Sequence, residues 1–268
     1  MQYNRIITDL TNQAYHADRE AVSNSQLSRL IKSPSLIYAP VKQTPSLRWG
    51  TLVHAIILEA DKFGETNAVM PEGLDSGKGA KARVEEFEAA NPGKEIVTHE
   101  EMVQLNSIRK AVFADPDASL LLGSPARIEQ SIFWEDKETG IKCRCRPDFW
   151  RNDNVVVDIK TTTDVSPWAF GASVWDWGYD RQAAFYSDGI EAVTGSAPEA
   201  FVFIAIEGKD EPNILIECHN AEQDVIQVGR TRYRKALQTL ADCRRNNSFP
   251  KKLVPGIRKI VLPAYARA

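Results

Sequence analysis

The hydrophobic period changes once along this chain. Up to about residue 125 the apolar positions recur at helical spacing, and beyond that they alternate or run together as in strands. Ser23-Asn24-Ser25-Gln26 reads as a capping box that opens a short helix through Leu27, Leu30 and Ile31. Ser33-Pro34 breaks it, and a second short helical piece follows to Tyr38. The run TLVHAIILE over 51–59 is almost wholly apolar, which predicts a buried helix with His54 in its middle. Residues 71–79 carry three glycines and predict a mobile loop. Helices are predicted over 80–90 and 100–113, the second behind the capping box Thr98-x-x-Glu101.

From residue 127 the reading is of strands. Three are predicted over 127–134, 141–150 and 155–161, with hairpin turns over 136–140 and 151–154. A helix over about 179–193 ends at Gly195. Strands over 200–207 and 213–218 precede a long basic helix over about 221–245. The order predicts an α/β fold: a mixed central sheet flanked by helices, with an added helical N-terminal region. No stretch rich in Gly, Ser or Pro demands a linker. Residues 1–268 are therefore expected to form one domain, with 1–125 mainly helical and 126–268 holding the sheet and the basic C-terminal helix and tail.

Composition changes this picture little, whereas charge distribution changes it more. No segment approaches the 18 or so apolar residues of a membrane span, and the N-terminus lacks a secretory signal pattern, so a cytoplasmic location is expected with no membrane partner. The four cysteines do not form a disulfide framework in a chain this long, and Cys143 and Cys145, on one strand face, read as small core residues. Net charge is −3 overall, yet residues 226–268 alone carry +10. A segregated basic segment fits a phosphate-binding surface or, equally, a solvated helix face with a basic tail. Arg230, Arg234 and Lys235 are its candidate DNA contacts.

The most informative stretch is CRCRPDFWRNDNVVVDIKT, 143–161. Pro147-Asp148 precedes Asp158-Ile159-Lys160, with Val155-Val156-Val157 leading into the second acid. Strand alternation puts Asp158 and Lys160 on one face, and the hairpin can bring Asp148 beside them. Two carboxylates and an ammonium at a strand end suit metal-assisted phosphodiester hydrolysis. The plain alternative is a surface hairpin with an exposed ion pair. Charge at the end of an apolar run argues for the first reading, because it is costly there unless paired or metal-bound.

Other residues could join this site. His54 is either a core histidine bonded to a carbonyl or a nitrogen ligand. Glu129 could add a third carboxylate, or be an exposed strand glutamate. Gln182 and Tyr186, four apart on one helix face, could hold a phosphate or a base, or simply form a half-buried flank. Arg48 offers a cation near the His54 helix, while Asp164 and Asp188 read as cap or surface residues. No phosphate loop, dinucleotide fingerprint or nucleophile elbow is present.

His54, Glu129, Pro147-Asp148, Asp158-x-Lys160 and Gln182-x-x-x-Tyr186 occur in the order of the PD-(D/E)xK nuclease superfamily, in its RecB-like branch. The segments SNSQLSRLIKSP, RWGTLVHAIILE, CRCRPD, VVVDIKTT and QAAFYSDGIEA resemble the nuclease domain of the RecE (exonuclease VIII) family, over about 23–205. The resemblance implies a restriction-endonuclease-like core and an exonuclease that degrades linear double-stranded DNA 5′ to 3′, leaving 3′ single strands for a RecT-like annealing protein. It implies Mg²⁺, with Mn²⁺ as a substitute, held by Asp148, Asp158, the main-chain carbonyl of Ile159 and His54. Lys160 would position the attacking water, with Glu129, Gln182 and Tyr186 as further members of the site. Relatives of this kind form rings around DNA, which implies a homo-oligomer. The alternatives are a Cas4-like or other RecB-family single-strand nuclease, and a catalytically inactive DNA-binding module of the same fold.

Overall fold

The computed structural model describes residues 3–251 and Ile257. The expected basic residues Lys252, Arg258, Lys259 and Arg267 lie outside the described residues. The chain opens with β1 (Arg5–Ile7) and α1 (Asn12–Ala17), then enters α2 (Asn24–Lys32), where the Gln26 side chain accepts the Ser23 N–H at 2.9 Å. Ser33, in extended conformation before Pro34, ends α2 as expected. Next comes α3 (Pro45–Leu58), which starts earlier than the apolar run predicts, because Thr44 caps it by accepting the Leu47 N–H and Pro45 sits at its first position. The short α4 (Phe63–Thr66) leads to β2 (Asn67–Val69). Then α5 (Ala80–Ala90), β3 (Glu95–Val97), α6 (His99–Ala114) and α7 (Pro116–Leu122) complete the helical part. The 71–79 loop is tied to α5, since Arg83 donates to the carbonyls of Leu74, Ser76 and Lys78.

The sheet region differs from the three long strands expected of the sequence. The first two are each broken, giving β4 (Ala126–Ile128), β5 (Ser131–Glu135), β6 (Lys142–Cys145) and β7 (Phe149–Arg151) before the intact β8 (Val155–Thr162). The first break falls at Glu129, whose φ of 51° is left-handed and cannot continue a strand. The second falls at Arg146-Pro147-Asp148, where Pro147 has no N–H for a ladder. Each broken strand thereby serves two sheets. β1, β5 and β6 form a three-stranded sheet, while β4 and β7 join the main one.

After β8 the chain makes α8 (Pro167–Trp177), α9 (Tyr179–Thr194), β9 (Ala200–Glu207), β10 (Leu215–Asn220) and α10 (Gln223–Arg245). α8 was not expected of the sequence. The five-stranded sheet runs β10-β9-β8-β7-β4, with β8 and β9 parallel and every other pair antiparallel, so it is mixed as predicted. Alternation along β8 sends Val157 and Ile159 into an apolar layer with Leu52, Ile56, Leu105 and Ile108 of α3 and α6. Val156 faces the opposite layer, where Phe185, Leu237 and Leu240 of α9 and α10 pack with Phe201 and Phe203. Cys143 and Cys145 lie fully buried in that second layer, as read from the sequence.

Candidate active site

β8 supplies the centre of the site. Asp158 is fully buried, and its carboxylate forms an ion pair with the Lys160 ammonium on the same strand face. From α9, Gln182 Nε2 donates to Asp158 Oδ1 at 2.5 Å. Lys160 Nζ in turn lies 4.7 Å from the centre of the Tyr179 ring. The alternation read from the sequence therefore does bring the acid and the lysine together.

Asp148 enters from the break between β6 and β7. Its Oδ2 accepts the backbone N–H of Ile159 at 2.9 Å, which fastens the carboxylate to β8. His54, reaching across from α3, touches the same residues. Its Nε2 is 2.8 Å from the Ile159 carbonyl oxygen, and its Nδ1 is 3.3 Å from Asp148 Oδ2. Both ring nitrogens thus face oxygen acceptors. A neutral imidazole has only one N–H, so one of these contacts calls for a second proton or for a cation.

Glu129 completes the corner. The left-handed turn that breaks the strand carries it here, and its backbone N–H donates to the Asp148 carbonyl at 3.2 Å. Ligand atoms of His54, Glu129 and Asp148 all lie within 4.8 Å of one another. Asp158 lies outside that trio, its two oxygens being turned to Lys160 and Gln182. The Ile159 carbonyl, expected as a metal ligand, is instead engaged by His54.

The electrostatics show an excess of negative charge. Burial, and after it the charge of Asp148, pushes the Glu129 carboxyl up to about 8. The same two causes push Asp158 up to about 6 against the opposing pull of Lys160. Burial lowers Lys160, yet Asp158 and Asp148 outweigh it and hold the ammonium above its usual value. The donors are hard oxygens with one imidazole, crowded and short of positive charge. Such a set fits a divalent cation, with Glu129, Asp148 and His54 as its holders.

Other expected residues fall elsewhere. Tyr186 is half-buried one turn beyond Gln182 and packs on Phe201, its hydroxyl pushed well up, chiefly by burial. Arg48, expected as a DNA contact, is engaged within the fold. It donates to Glu95 and Glu101 at 2.5 Å each and to the Ile96 carbonyl at 2.6 Å, clamping α3 to β3 and α6. Arg230 is likewise taken up, by the carboxylate of Asp188, and Arg234 by Glu138, Asp136 and Asp188. Lys235 alone of that trio is exposed and without an ion-pair partner among the described residues. Asp188 is therefore a half-buried anchor for two arginines and the Tyr233 hydroxyl, not a surface residue. Asp164 caps the turn into α8 by accepting the Ser166 N–H at 2.8 Å, as expected.

Two neighbours of the site escaped the sequence reading. Arg146 lies over the Tyr15 ring at 4.3 Å and donates to Ser131 and to the Leu10 carbonyl, and its charge tempers the rise at Glu129. Its adjacency to Pro147-Asp148 was the only available signal. Tyr179, over Lys160, had none beyond opening its helix.

Residues 23–253 match a family described as a PDDEXK-like domain of unknown function (DUF3799). No curated protein matches the sequence. Among solved structures the chain is similar to a protein from Eubacterium rectale with a provisional exonuclease designation. The identity is 16% and the TM-score 0.58, over 92% of this chain and 96% of that one. At that identity the likeness shows a shared fold. A phage-related exonuclease from Haemophilus somnus 129PT is more distant, with 11% identity and a TM-score of 0.33 over 71% of this chain and 96% of its own.

Proposed function

The chain belongs to the PDDEXK-like domain family, and from that premise we propose that it is a divalent-metal-dependent exodeoxyribonuclease acting on the ends of linear duplex DNA. One observation carries the reading. Asp148, Asp158, Lys160, His54 and Glu129, drawn from four separate stretches of chain, meet in one corner where burial, and after it the charge of Asp148, pushes the Glu129 and Asp158 carboxyls upward.

Each residue then has a physical task. Glu129, Asp148 and His54 would hold the cation, which when bound supplies Lewis acidity and offsets charge on the phosphate. Ile159 fixes two of the three holders, Asp148 through its N–H and His54 through its carbonyl. Gln182 and Lys160 lock the Asp158 carboxylate, and the Lys160 ammonium is placed to orient a water or steady a phosphate oxygen. Oxygen donors favour Mg²⁺, with Mn²⁺ as a substitute.

The direction, 5′ to 3′ with a 3′ single strand left for a RecT-like annealing protein, rests on the resemblance to RecE, as does assembly into a ring. The deep apolar packing of Cys143 and Cys145 suits core residues better than the cluster ligands of a Cas4-like enzyme. Digestion of linear duplex labelled at the 5′ or the 3′ end, with Mg²⁺, Mn²⁺ or chelator, tests the proposal. Early release of the 5′ label with metal, and survival of closed circular duplex, is the expected result. Equal cutting of circles would make it an endonuclease, and inertness with both metals would overturn the nuclease reading.

A further inference from the structure

α8 leaves most of its apolar surface in water. Phe170 is the only buried residue among its eleven, while Trp168, Trp175 and Trp177 are 85%, 55% and 70% exposed. Three exposed indoles on one short helix mark a surface that something covers. Trp168 and Trp175 are seven residues apart, so they share a helix face, and the exposed Gly171 and Ala172 lie between them on that face. Seven residues rise about 10.5 Å. Bases stacked in a strand follow one another at about 3.4 Å. The interval between the two tryptophan positions therefore suits two stacked bases over a floor of small residues.

The place of the helix identifies the occupant. α8 links β8, which carries Asp158 and Lys160, directly to α9, which carries Gln182. The end of the helix adjoins the site, since Trp177 stands two residues before Tyr179, whose ring lies over Lys160, and Phe170 on the buried side of α8 lies 6.3 Å from that ring. Within 167–177 the only charged side chain is Asp176, and the Arg232 guanidinium lies 3.9 Å from the Trp175 ring but is paired with Asp180. The helix thus offers flat rings and hardly any free charge, which suits bases rather than phosphates. We propose that α8 is a stacking platform for the unpaired bases of a single DNA strand beside the active site. Such stacking tolerates any sequence, because every base presents a π-face. The inference rests on the nuclease reading above and names the part of the substrate that the helix meets.

Binding of a labelled thymidine homo-oligonucleotide, followed by fluorescence anisotropy in chelator, separates the platform from hydrolysis. Trp168→Ala should weaken binding about ten-fold, and Trp168→Phe should restore most of it, at unchanged melting temperature. Affinity equal to wild type in Trp168→Ala, or no binding by wild type, overturns the platform. So does a wild-type oligomer that Trp168→Ala dissociates without loss of oligonucleotide affinity, for the face would then join two copies of the chain. A Trp168-dependent affinity in a protein that cleaves nothing would retain the platform and remove the nuclease instead.

Discussion

At the residue scale, the site is a problem of unpaired negative charge. Asp148→Asn would weaken the cation's hold, and Asp158→Asn would release the Lys160 ammonium that the carboxylate positions, so each should lower cleavage of linear duplex on the order of 10³-fold while circular dichroism stays that of the wild type. Near-normal turnover in either variant would displace that residue from the chemistry. The pH dependence follows from the same charges. Glu129 stands at about 8 and Asp158 at about 6. Both values lie above the range of about 4 for carboxyls in an unfolded chain. Without metal the folded protein keeps protons that the unfolded chain has released, so the stability these two groups contribute is full below about pH 4 and is lost as pH rises from there through their folded values of about 6 and about 8. A bound cation replaces those protons. Scanning fluorimetry with Mg²⁺ or Mn²⁺ should therefore show a larger rise in melting temperature at pH 8 than at pH 6. An equal rise at both would mean that the Glu129 carboxyl does not hold the cation.

At the element scale, the two broken strands matter most. A continuous strand through 127–134 would leave Glu129 in a ladder, and one through 141–150 would do the same to Asp148. The left-handed Glu129 and the proline at 147 end both ladders and turn the two acids toward one another. On the other side of the sheet, α9 and α10 approach closely at Gly229. A methyl group there would collide with the Asp180 carbonyl, one residue from Arg181 and two from Gln182. Gly229→Ala should cost at least about 1–3 kcal/mol in urea unfolding. Because α9 carries Gln182, the same variant should also reduce turnover per folded molecule. Wild-type stability would show that the helices can part at no cost.

At the scale of the whole molecule, much of the basic charge on α10 is met by carboxylates among the described residues. Arg230, Arg232, Arg234 and Arg245 of α10 are each met by a carboxylate. Duplex affinity measured across salt in chelator should thus keep its slope in Arg230→Ala and Arg234→Ala, with both variants melting earlier. Lys235→Glu should flatten the slope by about one. A flattened slope in Arg230→Ala would show that the arginine leaves Asp188 for phosphate.

Local rules written in a few residues were legible in the sequence alone. The capping boxes at Ser23 and Thr98, the Gly195 stop, the turns, the mixed sheet, and Asp158 and Lys160 on one face of β8 all follow from spacing. α8 did not, since an apolar helix that buries one residue has no inner face for periodicity to reveal. Tertiary structure alone decided which charges cancel and which converge. Arg48 finds Glu101 at 53 positions along the chain, and Arg234 finds Asp136 at 98, pairings that no periodicity encodes. His54 meets Ile159 across 105 positions, and the same ring that satisfies a carbonyl on one side faces Asp148 on the other. Alternation and capping depend on neighbours in sequence, whereas ion pairing and burial depend on neighbours in space, and packing α3 and α9 on opposite faces of β8 is what made those neighbours.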